Sequence, residues 1–260
     1  MKLLELRNSV LVAISLVLAA CSGTLPSENI GSSEDHPEYG EVREGHIVIP
    51  PVDARYLAEP NRRTSVTYNG GEATGTIIVD PYAKFLYFVA PAGNAIRYPI
   101  AVGREGRGFQ GQATIARKAQ WPGWTPTANM IRREPEFYKP FAKGIPGGKA
   151  SPLGARALYL YRGGRDTYFR IHGTNDPATI GNAGSAGCIR MFNQDVIDLY
   201  ERTSVGAKVI VRTFEQSVAA EGFEMATRGD EIIPKPVDPE QIYALVAQEE
   251  RRKVEYEMTN

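Results

Sequence analysis

Cysteine and histidine are scarce in this chain: 260 residues hold two cysteines, Cys21 and Cys188, and three histidines, His36, His46 and His172. Two cysteines permit at most one disulfide, and three scattered histidines do not supply the clustered donors a metal site needs. Net charge is missing too, since 30 Lys and Arg balance 30 Asp and Glu with no dense basic run. That balance argues against a nucleic-acid partner. Long apolar runs are also absent: Val10 to Leu18, broken only by Ser15, is too short to span a bilayer as a mature helix. No metal or other cofactor is expected.

That apolar run follows a weakly basic start (Lys2, Arg7, offset by Glu5) and leads into Leu18-Ala19-Ala20-Cys21, the pattern of a cleaved secretion signal over residues 1–20. The tetrapeptide resembles the bacterial lipobox. The resemblance implies that Cys21 is lipidated and holds the chain to a membrane, each buried methylene contributing roughly 0.8 kcal/mol. Ser22 follows Cys21 directly, and in Gram-negative lipoproteins a non-acidic residue there implies the outer membrane and a periplasmic protein. Cys188 is then left without an intramolecular disulfide partner, a free thiol in an exported chain.

Ser22 to about Glu44 is rich in Ser, Gly, Pro and acidic residues without helical or strand period, and reads as a flexible tether. His36 and His46 fall in or beside it, leaving His172 as the histidine of the folded part. The expected organisation is a tether and extended lead-in over residues 21–73, one catalytic-sized domain over 74–213, and a C-terminal extension over 214–260.

From about Thr74 the period becomes that of strands: Thr76–Asp80, Lys84–Val89 and Ala95–Val102, with further strands at Ala113–Arg117, Ala157–Tyr161, Thr167–Ile171 and Lys208–Arg212. Gly, Pro or Asp punctuate the first three, and β-branched and aromatic residues fill the strands. The expected fold is mainly β with few helices, a largely antiparallel sandwich or open barrel. One helix is expected after an Asn193 N-cap, with Val196, Ile197, Leu199 and Tyr200 as its apolar face. Another is expected over 239–257, opened by Asp238 and Pro239, with a polar surface suited to a solvated extension.

Between the strands near Arg117 and Ala157 lies a long insertion with both tryptophans of the chain, Trp121 and Trp124, and a helix-like piece from Thr127 to Glu134. Long loops in compact domains tend to line sites, so the two tryptophans are candidate substrate contacts.

His172 ends one predicted strand, and Cys188 lies sixteen positions on, after Gly181, Gly184 and Gly187 and before the Asn193 helix. An imidazole can take a thiol proton, and a thiolate paired with His⁺ attacks a carbonyl at neutral pH. Backbone N–H groups of Gly187 and Cys188 could face the developing oxyanion. The same residues also suit a buried small apolar Cys and a hydrogen-bonded strand-end His.

His172-Gly173-Thr174-Asn175, Ile180-Gly181 and Ser185-Ala186-Gly187-Cys188-Ile189-Arg190-Met191 resemble the signature of the YkuD-type L,D-transpeptidases, over roughly Gly75 to Arg212. The resemblance implies a β-sandwich-like catalytic domain acting on peptidoglycan stem peptides in cell wall biogenesis. It implies Cys188 as nucleophile, His172 as general base and acid, and the Gly173 carbonyl orienting the imidazole. Ser185 matches the family's Ser or Thr, and Arg190 would hold a substrate carboxylate or brace the loop. Many members have His where this chain has Ala186, so proton transfer would fall on His172 alone. The implied acceptor of the acyl group is a stem amine, a lipoprotein lysine or water. An endo- or carboxypeptidase of the same fold and an inactive wall-binding lipoprotein are the other readings; papain-like peptidases and sortases fit the His-before-Cys order and spacing poorly.

Overall fold

A computed structural model describes residues 36–103, 109–182, 188–229 and 238–259. The expected signal peptide, Cys21, most of the expected tether, and Ser185, Ala186 and Gly187 lie outside the described residues.

Strands β1 (Val42–Glu44) and β2 (Ile47–Ile49) pair as a small hairpin. The main sheet contains β3 (Thr64–Thr67), β4 (Ile77–Asp80), β5 (Phe85–Ala90), β6 (Asn94–Pro99), β7 (Ala101–Val102), β8 (Gly111–Gln120), β9 (Arg156–Arg162), β10 (Arg165–His172), β11 (Ile189–Arg190) and β12 (Lys208–Val211). Their order is β3-β6-β5-β4-β12-β8-β9-β10-β11-β7. β4 reads Ile-Ile-Val-Asp and is buried throughout, the pattern of a central strand covered on both faces.

Only Ile100 separates β6 from β7 in sequence, yet β6 is second from one edge and β7 forms the other edge. The sheet must therefore fold over on itself. One core cluster accordingly joins Ile77, Val79, Leu86 and Tyr98 of one arm to Leu158, Leu160, Ile171 and Ile189 of the other. Each such side chain contributes roughly 1.5–3 kcal/mol when fully buried. Most pairings are antiparallel, but β4 with β12 and β10 with β11 run parallel.

Helices α1 (Ala128–Arg133) and α2 (Pro135–Tyr138) belong to the long insertion. α3 (Asn193–Arg202) packs Val196 and Leu199 into the core, and α4 (Phe214–Glu221), α5 (Phe223–Ala226) and α6 (Pro239–Thr259) follow β12. Among the described residues no helix is long and apolar enough to cross a membrane. Asn193 is not the N-cap that its residue type suggests. It is the first helical residue, and its side chain accepts from the Ala155 N–H at 2.9 Å and donates to the Thr174 carbonyl at 2.8 Å.

One expected boundary is corrected. The tether cannot extend to Glu44: Tyr39 is fully buried beside Phe192, its hydroxyl meets Asp195, and Glu44 pairs with Arg156. His36 and His46 thus join the folded body, where His36 meets Arg62 and His46 lies against the Tyr256 ring. Residues beyond 213 also pack on the domain. Asp80, fully buried, accepts from Ser217 at 2.8 Å and from Arg212 at 3.1 Å, while Arg228 donates to the Ala83 and Lys84 carbonyls.

α6 is no free extension. Ile242 is buried with Phe141, Ile145 and Ala150 of the insertion, and Glu249 accepts the Lys149 N–H at 2.9 Å.

Candidate active site

The parallel register of β10 and β11 sets Ile171 opposite Ile189 and His172 opposite Arg190. Ile171 and Ile189 both point into the core, so alternation turns their neighbours outward. His172, Arg170, Arg190 and Cys188 therefore share the outer face of the sheet. Continuing the register by one residue sets Cys188 beside Arg170, which makes the thiol and the imidazole diagonal neighbours. Sixteen positions of sequence separation collapse to two adjacent strands.

Local structure fixes each group. His172 is buried, at 4% exposure, and its Nδ1 lies 2.6 Å from the Gly173 carbonyl oxygen. A carbonyl only accepts, so Nδ1 carries the proton and Nε2 is left with its lone pair. Gly173 itself is fixed by packing: a Cβ there would run into the Asn193 amide and the Ala155 N–H. The same Asn193 side chain that leaves the capping role thus dictates the glycine beside the histidine. Met191 N–H donates to the His172 carbonyl at 2.9 Å and completes the brace.

Cys188, half-buried, has its Sγ 4.0 Å from the Tyr168 carbonyl oxygen. That carbonyl is aimed by an irregularity: the register with β9 shifts between Asp166 and Arg170, and Tyr168 adopts φ 62°. Bulges of this kind re-aim groups beside active sites. Asp166 holds the shape, accepting the Tyr168 N–H at 2.8 Å and both ends of the Arg170 guanidinium at 2.7 and 2.8 Å.

Burial pushes the Cys188 thiol above its usual range, opposed by the Arg170 backbone N–H and the Arg170 and Arg190 charges. Burial, then the Arg190 charge, lowers His172 to about 3 against a weaker pull from the Gly173 carbonyl. Both partners are therefore neutral at pH 7. Neither shift favours a thiolate–imidazolium pair in the free protein.

A family model of the L,D-transpeptidase catalytic domain, YkuD, matches residues 74–211, more than half of the chain. The chain belongs to the YkuD L,D-transpeptidase family. Two curated relatives from Escherichia coli strain K12 are probable L,D-transpeptidases: ErfK/SrfK is 34% identical over 136 residues and YbiS 32% identical over 137. These alignments cover 51% and 52% of this chain but 42% and 43% of the relatives, so the chain spans less than half the length of either. A crystal structure from Brucella melitensis, described as a probable carnitine operon oxidoreductase, is 50% identical and covers 61% of this chain and 98% of its own, with a TM-score of 0.42.

The YkuD match runs from just before β4 to the end of β12 and contains His172, Cys188, Arg190 and the whole insertion. Within that insertion both tryptophans serve as braces. The Trp121 indole N–H donates to Glu44 at 2.8 Å, and Trp124 bridges to Ile145 and packs with Phe141. The aromatic that reaches the site is Tyr138 of α2, 6.2 Å from the Trp124 ring. Burial and Glu134 push its phenol up, Arg190 opposes, and the Cys188 sulfur adds to the rise, so Tyr138, Arg190 and Cys188 share one field. Arg190 is lowered by burial and supported in its charge by Asp176, Cys188 and Tyr138. Tyr138, Arg170 and Asp176 escape a reading of the sequence because no motif marks them; an aromatic six residues before the Gly144–Gly148 run was the available signal for Tyr138.

Proposed function

We propose that the chain is a peptidoglycan L,D-transpeptidase working by two acyl transfers through Cys188. The observation that carries the reading is the shared outer face of His172 and Cys188, with Nδ1 committed to Gly173 and Nε2 available to the thiol. In the first step Sγ attacks the carbonyl of the third residue of a tetrapeptide stem while Nε2 takes the thiol proton. The C–S bond forms, the C–N bond to the terminal D-alanine breaks, and His172 returns the proton to the departing amine. In the second step an acceptor amine attacks the thioester: a new C–N bond forms, sulfur leaves, and the amine proton passes through His172 to the thiolate. A stem amine gives a 3→3 cross-link and a lipoprotein lysine gives wall attachment.

The Cys188 N–H, with Gly187, would stabilise the oxyanion, and Arg190, half-buried beside His172, would take a substrate carboxylate, with Ser185 on the same loop. Cys21 as a lipidated residue would hold the enzyme in the periplasm at the outer membrane. Purified protein incubated with tetrapeptide muropeptides is expected to release D-alanine and form 3→3 dimers, and Cys188→Ala to lose both by at least about 10³-fold. Unchanged products from Cys188→Ala would overturn the nucleophile.

A further inference from the structure

The ladder that joins His172 to Arg190 continues across the sheet. Arg170 is paired with Tyr159 of β9, and Tyr159 with Arg117 of β8. One cross-strand row on the outer face therefore reads Arg117, Tyr159, Arg170 and then Cys188. Three strand spacings separate its ends, ~14 Å.

The two arginines flank one ring. The Arg117 guanidinium carbon lies 3.5 Å from the Tyr159 ring centroid and that of Arg170 lies 4.4 Å away. Tyr159 is 7% exposed and so forms a fixed platform for both. Their charges are not equivalent. Arg170 is matched by the Asp166 carboxylate, both of whose oxygens it occupies. Arg117 is exposed and forms no hydrogen bond or ion pair among the described residues; Asp166 feels its charge only at a distance. A guanidinium stacked flat on a ring keeps its N–H edges open, and less ordering is lost when a planar anion binds them in parallel.

We propose that Arg117, held on Tyr159, is a docking point for a carboxylate of the peptide substrate, on the same row as Cys188. The proposal rests on the stem-peptide reading above and adds a selectivity to it: stems with free carboxylates are preferred over amidated ones. The long insertion approaches the thiol from α2 through Tyr138, so the Arg117 row offers a second route to Cys188, along the sheet itself.

Binding in the Cys188→Ala background separates this proposal from acyl transfer, because no thioester forms there. The full chain is titrated with a disaccharide tetrapeptide whose carboxylates are free, and with the same compound amidated. Arg117→Gln in that background is expected to weaken the free-acid ligand about fivefold and leave the amidated one unchanged. Arg117→Lys is expected to recover part of the loss, and raised salt to abolish the difference. Equal affinity of both proteins for the free acid overturns the proposal, as does an equal loss for both ligands, which would mark Arg117 as structural. In the Cys188-containing protein, Arg117→Gln should slow acylation of the thiol by the free-acid tetrapeptide in step with the lost affinity. Absence of that acylation in the unsubstituted chain would count against the acyl-transfer reading alone.

Discussion

At the scale of single residues, the chemistry turns on where two protons sit. His172 keeps one on Nδ1, because Gly173 offers only an acceptor, and burial beside Arg190 keeps the second nitrogen unprotonated down to about pH 3. Cys188 keeps its own because burial outweighs the Arg170 N–H and the two nearby cations. The sign is the same for both groups: each charged form is disfavoured, so the neutral pair persists from acid through neutral pH. Alkylation of Cys188 by iodoacetamide, free of the catalytic proton relay, is therefore expected to quicken with pH through and beyond about pH 8.5, the ordinary thiol range. A rate already on its plateau between about pH 5 and pH 8 would instead reveal a preformed thiolate–imidazolium pair.

At the scale of elements, the insertion between β8 and β9 is held against the catalytic face by the last helix of the described chain. Ile242 fills the cluster of Phe141, Ile145 and Ala150, the Tyr243 hydroxyl donates to the Pro140 carbonyl at 3.3 Å, and Glu249 accepts the Lys149 N–H. α2 with Tyr138 lies in the segment so fastened. Truncating a buried Ile costs about 2–5 kcal/mol, which here falls on helix docking rather than on the distant core. Ile242→Ala is expected to speed hydrogen exchange at Lys149 and to lower transpeptidation, while exchange in β4 and β5 stays slow. Lys149 protection equal to that of the unsubstituted protein would show that α6 does not hold the insertion.

At the scale of the whole molecule, the parts legible in the sequence were those whose pattern is local. β4, β5 and β6 announce themselves by apolar runs between turn residues, and α3 by Val196 and Leu199. His172 and Cys188 stood out as candidates because so few such residues exist, and the contact of Nδ1 with the Gly173 carbonyl was expected from the family resemblance. What stayed hidden depends on contacts distant in sequence. Two-residue strands such as Ile189–Arg190 carry no period of their own and exist because β10 and β7 flank them. The Tyr39 segment has an acidic, tether-like composition, and one buried aromatic ring on Phe192 fixes it. The Arg117 row needs three registers at once, and a bulge between Ile115 and Arg117 sets the first. The end-to-end fold of the sheet is likewise visible only when the strand order is known. Among them the β10–β11 register brings Cys188 and His172 to one face of the sheet, the convergence that the proposed acyl transfer would use.

Intact-mass spectrometry of the protein mixed with a tetrapeptide donor and no amine acceptor tests that convergence most directly. The expected result is an adduct equal to the donor minus D-alanine, mapped by digestion to the peptide holding Cys188, cleaved by hydroxylamine and absent from Cys188→Ala. D-Alanine release without any such adduct, or an adduct that survives Cys188→Ala, would contradict a thioester at this sulfur.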